Sequence, residues 1–270
     1  MSLARWIVLL SWTACCAGAA QPLELPPPPD APLEQRIGAT LPLDLRVLDE
    51  HGDHHRLSDF IDGNRPVLLV AGYYRCPQLC GLLMHGLLDG LRASGVPRDA
   101  WRIVRFSIDP RETPADARVR ADIDRGYADA AIGAAPAPAL DLHLLTLAPA
   151  GIARLTRAIG YGFAPLDARD DDPDRFAHPA TVTLLTPHGT VSRYFNGLSF
   201  AGPELRVALA DAAGDRLGSV TGRLALLCAH FDPHPGRHTD AVMGAIRAGS
   251  LLLAAGLAGW CWRRRRGGAR

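Results

Sequence analysis

Cys76 and Cys80 stand four positions apart, where an apolar run over residues 66–74 ends and a helix-spaced run begins. At that spacing two thiols can close a disulfide, exchange electrons as a redox pair, or hold one soft cation. In an exported chain the bland reading is a structural disulfide. A bridge across so few residues closes a very small loop and stabilises modestly, which suits reversible chemistry better than stapling. If a helix opens at Cys80, its unpaired N–H groups and the positive end of its dipole favour thiolate over thiol. Two thiolates prefer soft ions, of which Cu(I) and Zn(II) are the obvious ones. A structural zinc site wants four protein ligands, which one cysteine pair does not supply. Cu(I) accepts two or three, so one histidine would complete its set.

The elements that must position these thiols alternate. Residues 41–49 alternate like a strand, and residues 50–60 follow as a turn with a short strand. Residues 66–74 form a near-continuous apolar run, as expected for a strand buried on both faces. Residues 80–93 have helical spacing, with Leu83, Leu87, Leu88 and Leu91 on one side. A strand over 101–108 precedes a helix opened by Pro114 and capped by Thr113. A strand over 140–146, a helix over 149–160, a hairpin over 180–195 turning at Pro187, His188 and Gly189, and a helix over 203–213 complete the body. Strands alternating with helices and a late hairpin predict an α/β sandwich with a mixed central sheet. With a dithiol at a strand-to-helix turn, the arrangement predicted is thioredoxin-like, over residues 41–213.

There are ten histidines. His178 directly precedes the predicted hairpin, and in a thioredoxin-like sheet that loop lies near the dithiol turn. A neutral imidazole there could complete a three-coordinate site; spacing alone leaves a solvated loop residue equally open. His85, one turn beyond the dithiol, reads as a partly buried helix residue. His54 and His55 read as solvated turn residues. His230, His234 and His238 recur every four residues, but Pro233 and Pro235 break a helix there, so a loop is preferred to a second metal site.

Both ends predict a membrane-tethered, exported body. Arg5, an apolar run and small residues at 17–19 fit a signal peptide over 1–20, cleaved near Ala19 or Ala20 and taking Cys15 and Cys16 with it. An uncleaved N-terminal anchor is the alternative, although the apolar stretch is short of the roughly 20 residues that a span needs. Residues 21–40 read as a proline-rich linker. Residues 214–240, with Cys228, form a juxtamembrane segment. Residues 241–262, with Cys261, are apolar apart from Arg247 and read as a single C-terminal transmembrane helix, if Arg247 snorkels. An amphipathic surface helix is the other reading of this segment. The basic tail over 263–270 carries four consecutive arginines, which mark the cytoplasmic side. The domain would then face the periplasm from the inner membrane. All 29 basic residues are arginine, a coding bias, and the formal net charge of +1 argues against a nucleic-acid partner.

Three segments, "GYYRCPQLC", "SIDPRETPADA" and "FAHPATVTLLTPHGTVSRYFNG", in that order, resemble the Sco/SenC family of membrane-anchored, thioredoxin-like copper proteins. The resemblance covers residues 41–213, and the C-terminal anchor is similar to a bacterial subgroup. It implies copper, as Cu(I) with Cu(II) left open, held by Cys76, Cys80 and His178. It also implies delivery to the dinuclear copper centre of cytochrome c oxidase subunit II. Transfer of the ion would need an exposed site of low coordination. Gln78 and Gly81 stand where the family commonly has Asp and Pro. Asp109 and Pro110 match the family, reading as a shaped strand end with a partner contact open. The competing expectation is a thiol–disulfide oxidoreductase in which Cys76 and Cys80 cycle, keep the oxidase cysteines reduced, and are themselves served by a periplasmic thiol reductant. A peroxidase reading lacks a recognisable threonine and arginine set around Cys76.

Overall fold

The structure, a computed structural model, describes residues 31–77, 79–132, 138–166 and 175–218. In chain order its elements are β1 (Arg46–Leu48), β2 (His54–Arg56), β3 (Val67–Gly72), α1 (Leu79–Ser94), β4 (Arg102–Ser107), α2 (Pro114–Ile132), β5 (Leu142–Leu145) and α3 (Pro149–Ala158). There follow β6 (Ala164–Pro165), β7 (Phe176–Ala177), β8 (Thr181–Leu185), β9 (Val191–Asn196) and α4 (Gly202–Ala213). Five strands form one sheet in the order β5-β4-β3-β8-β9. β3, β4 and β5 run parallel, while β8 pairs antiparallel with β3 on one side and β9 on the other. This is the mixed α/β sandwich expected, thioredoxin-like in layout.

β3 shows how the sheet makes two cores. All six of its residues are buried, because helices or loops cover both faces. Leu68 and Val70 face a core with Leu83, Leu87 and Leu91 of α1, Ala117 and Ala121 of α2, and Leu205 and Leu209 of α4. Val67, Leu69 and Ala71 face the other, with Ile152 and Leu155 of α3 and Val47 of β1. The twofold alternation of strand side chains divides them this way. Each fully buried leucine stabilises by roughly 1.5–3 kcal/mol, which fixes the register of β3 and with it the point where the chain leaves the sheet toward Cys76.

Two elements differ from expectation. The predicted strand over 41–49 is a ladder only at β1, because the chain turns at Leu43 and Asp44; Leu41 and Leu45 are nonetheless buried. The alternation tracked burial, not continuous pairing. The β6–β7 hairpin was not anticipated, since strands of two residues carry no readable periodicity. His54 and His55 lie in β2 and not in a turn, and His55 faces Asp49 at 3.4 Å. Residues 33–40 run along the body, with Glu34 N–H donating to Gly160 O and Gly38 N–H to Val191 O.

The expected signal peptide, residues 21–30 of the linker, the juxtamembrane segment beyond residue 218, the transmembrane helix and the basic tail lie outside the described residues, as do Cys228, Cys261, His230, His234 and His238. Among the described residues no helix is long and apolar enough to cross a membrane.

Candidate metal centre

The site lies where β3 ends, in the middle of the sheet and not at its edge. After Gly72 the chain passes through Tyr73, Tyr74 and Arg75 to Cys76, and α1 begins at Leu79 with Cys80 in its first turn. This short connection is held by one carboxylate. Glu112, on the loop after β4, accepts from Tyr74 N–H and Arg75 N–H at 2.8 Å each. Ser107 Oγ donates to the same group at 2.6 Å. Arg75 also pairs with Asp116 at 2.7 Å, and Tyr74 OH donates to Leu145 O at 2.6 Å. Burial pushes the Glu112 carboxyl above its ordinary range even though these donors pull it down.

His178 arrives from the other side, immediately after β7. Arg175 Nη1 donates to Asp109 Oδ2 at 3.1 Å, which ties the start of that hairpin arm to the loop after β4. The His178 ring sits edge-on to Tyr73, with centroids 5.7 Å apart. Its Nδ1 is 2.8 Å from Tyr161 OH, and its Nε2 is 3.4 Å from Cys80 Sγ. Cys76, Cys80 and His178 each offer one ligand atom, and all three atoms lie within 4.8 Å of one another. Gly72 makes room for them: a Cβ there would stand 3.2 Å from Cys80 Sγ and 4.0 Å from His178 Cε1.

The cysteines are not joined in a disulfide. They are almost covered, with Cys76 8% and Cys80 5% exposed, so the site is less open than ion transfer was expected to need. Leu79 and Leu82 beside them are exposed. The hydrogen bond with Cys76, then burial, pushes the Cys80 thiol well above its ordinary range. The contact with Cys76 and the covering of the sulfur thus act against the thiolate that a helix start favours. A buried Arg105, paired with the fully buried Asp124, acts weakly in the opposite direction.

The structure thus brings together the three residues singled out as ligands. It leaves His85 apart, stacked on Tyr127 with ring centroids 3.8 Å apart. Asp109 shapes the loop after β4 through Arg111 as expected, and it also holds Arg175. Sequence reasoning missed Tyr161, Glu112, Arg175 and Gly72. Only Tyr161 had a local signal, as an aromatic residue directly after a helix-ending glycine.

The sequence model of the SCO1/SenC family matches residues 39–210, well over half of the chain. No curated protein matches the sequence. Among solved structures, a protein of Aquifex aeolicus VF5 is 23% identical, with a TM-score of 0.53, over 66% of this chain and 95% of its own. ScoI of Arabidopsis thaliana, with copper bound, is 16% identical, with a TM-score of 0.51, over 67% of this chain and 99% of its own. A SCO1/SenC family lipoprotein of Bacillus anthracis str. Ames is 12% identical, with a TM-score of 0.51, over 67% and 99%. At these identities the likeness is one of fold.

Proposed function

The chain belongs to the SCO1/SenC family, and from that premise we propose that it holds Cu(I) between Cys76 Sγ, Cys80 Sγ and His178 Nε2 and delivers it during oxidase assembly. The observation that carries this reading is the convergence of two sulfurs and one imidazole within 4.8 Å. The donor set fits the ion. Two thiolates and one nitrogen are soft enough for Cu(I), and three donors fall short of the four of a structural zinc site. Among the described residues no other group of three such side chains comes together. Copper bound in ScoI of Arabidopsis thaliana, on the same fold, supports the choice of metal.

In this reading the ion is cargo. The chain's own residues hold it loosely enough to give it up. Glu112 fixes the Cys76 arm, and Asp109 fixes the His178 arm through Arg175. A partner thiolate then replaces one ligand at a time. The domain would work in the periplasm, tethered to the inner membrane through residues 241–262, and the recipient would be the dinuclear copper centre of cytochrome c oxidase subunit II.

A second reading rests on the contact between the two cysteine side chains. One sulfur, as thiolate, attacks a disulfide of the oxidase subunit. The other then closes the Cys76–Cys80 bridge and releases the subunit's dithiol, and a periplasmic thiol reductant restores the pair. Copper binding needs the same reduced pair, so the two activities alternate on one site.

Anaerobic titration of the reduced full-length protein with Cu(I) against a competing chelator tests the first reading. Close to one copper per chain is expected, lost in Cys76→Ser and Cys80→Ser. Cells lacking the protein should assemble copper-poor oxidase, restored by the wild type and not by Cys76→Ser. Binding unchanged by either substitution would end the copper reading.

A further inference from the structure

Tyr161 lies outside the three-residue ligand set, yet its hydroxyl sits at the centre of the polar contacts behind His178. It is placed there by the end of α3. Gly160 adopts φ +63, its N–H bonds to Arg157 O at 3.2 Å, and Tyr161 N–H bonds back to Thr156 O at 2.9 Å. This paired closure is the left-handed helix end that glycine makes easily. It turns the next side chain inward, and Tyr161 is only 4% exposed. A side chain at position 160 would collide with Glu34 O, which lies 1.8 Å from where its Cβ would be, so the glycine is required.

The hydroxyl has three neighbours: His178 Nδ1 at 2.8 Å, Pro179 O at 2.9 Å and Ala71 O at 3.3 Å. It carries one proton, and the two carbonyl oxygens can only accept. His178 Nδ1 is itself 3.1 Å from Pro179 O, another atom that can only accept. The arrangement is satisfied in one way. The hydroxyl proton goes to a backbone carbonyl, and the hydrogen between Tyr161 and His178 belongs to Nδ1. The opposite assignment, with the hydroxyl donating to Nδ1, sets bare lone pairs against each other between Nδ1 and Pro179 O and leaves both carbonyls without the hydroxyl proton.

We propose that Tyr161 is a positioning residue that, with Pro179 O, fixes His178 in the Nδ1–H tautomer, so that the bare Nε2 lone pair faces Cys80 Sγ before any ion arrives. Cys80 Sγ lies 3.4 Å from Nε2, and the lone pair is then free for a soft cation without a proton shift on the ring. A partner on the second ring nitrogen is how histidine ligands are generally oriented, and its loss commonly weakens metal binding by about tenfold or more. The contact of the hydroxyl with Ala71 O, in the strand that leads to Cys76, sets the ring and the dithiol by the same backbone. The role toward copper rests on the reading above; the tautomer does not.

The test is long-range 1H–15N correlation spectroscopy of the reduced, metal-free, full-length protein in detergent, at a pH where imidazoles are neutral. Wild type should show His178 protonated on Nδ1 and bare on Nε2. Tyr161→Phe leaves Nδ1–H only the longer 3.1 Å contact with Pro179 O, so the share of Nε2–H should rise and Cu(I) binding weaken about tenfold, while Cys76 and Cys80 still take up the ion. Wild type protonated on Nε2 would overturn the proposal, as would a Tyr161→Phe protein with unchanged tautomer and unchanged affinity. If Tyr161→Phe does not fold, the wild-type spectrum alone decides. A chain that binds no copper but shows the Nδ1–H form would sink the copper reading and leave this one standing.

Discussion

Asp109 and Arg175, 66 residues apart, meet across 3.1 Å, so the loop after β4 holds the hairpin arm that presents His178. Two residues beyond Pro110, Glu112 holds the other arm through the backbone of Tyr74 and Arg75. One short loop therefore sets the separation between the dithiol and the imidazole. The hydrogen bonds that do this involve ionised carboxylates, which are among the stronger ones a protein makes.

Asp109→Asn should loosen the His178 arm. Removing a buried charge with several donors costs about 1–3 kcal/mol, which in a domain of this size lowers Tm by several degrees. The pH dependence gives the sign. Burial would raise the Asp109 carboxyl, but Arg111 and Arg175 more than offset it and hold it below its usual value of 3.8. A depressed carboxyl stabilises fully above its unfolded value and less as pH falls through its folded one. The Tm difference between wild type and variant should therefore be full at neutral pH and shrink below about pH 4, as read by thermal unfolding across pH.

Copper uptake should strengthen with pH. The contact with Cys76 and burial hold the Cys80 thiol protonated well past its ordinary 9.0. Binding must displace that proton, which makes apparent affinity rise about tenfold per pH unit for this group alone. Chelator competition between pH 6 and 9 measures it. A flat profile would mean that Cys80 is already a thiolate.

Gly72→Ala should disturb the site more than the fold. Its new methyl would stand 3.2 Å from Cys80 Sγ, tighter than ordinary contact. Overpacking of this kind costs roughly 1–3 kcal/mol. The sulfur is what gives way, so copper affinity should fall further than that of a control alanine substitution at an exposed helix position such as Val207. Equal affinities would show that the strand end tolerates the methyl.

The thiol pair was legible because its chemistry is local: two sulfurs at the junction of an apolar run and a helical one. β3 and β4 were legible because strands buried on both faces leave continuous apolar runs. Spacing alone left His178 as one of two alternatives, and only the family resemblance singled it out, since its approach depends on β6 and β7, whose two-residue pairing leaves no pattern in the chain. Glu112 acts across 37 and 38 residues and Arg175 across 66, through hydrogen bonds that no spacing records. The hold on the Cys80 proton was not legible, because a helix start can be read from sequence, whereas the contact with Cys76 and the covering of a sulfur cannot.

X-ray absorption at the copper edge of the Cu(I)-loaded, reduced protein tests the central claim most directly, by counting sulfur and nitrogen neighbours of the ion. Two sulfurs and one imidazole nitrogen are expected in the wild type, with the nitrogen lost and affinity reduced in His178→Ala. Two sulfurs without nitrogen, unchanged in His178→Ala, would contradict the three-residue site.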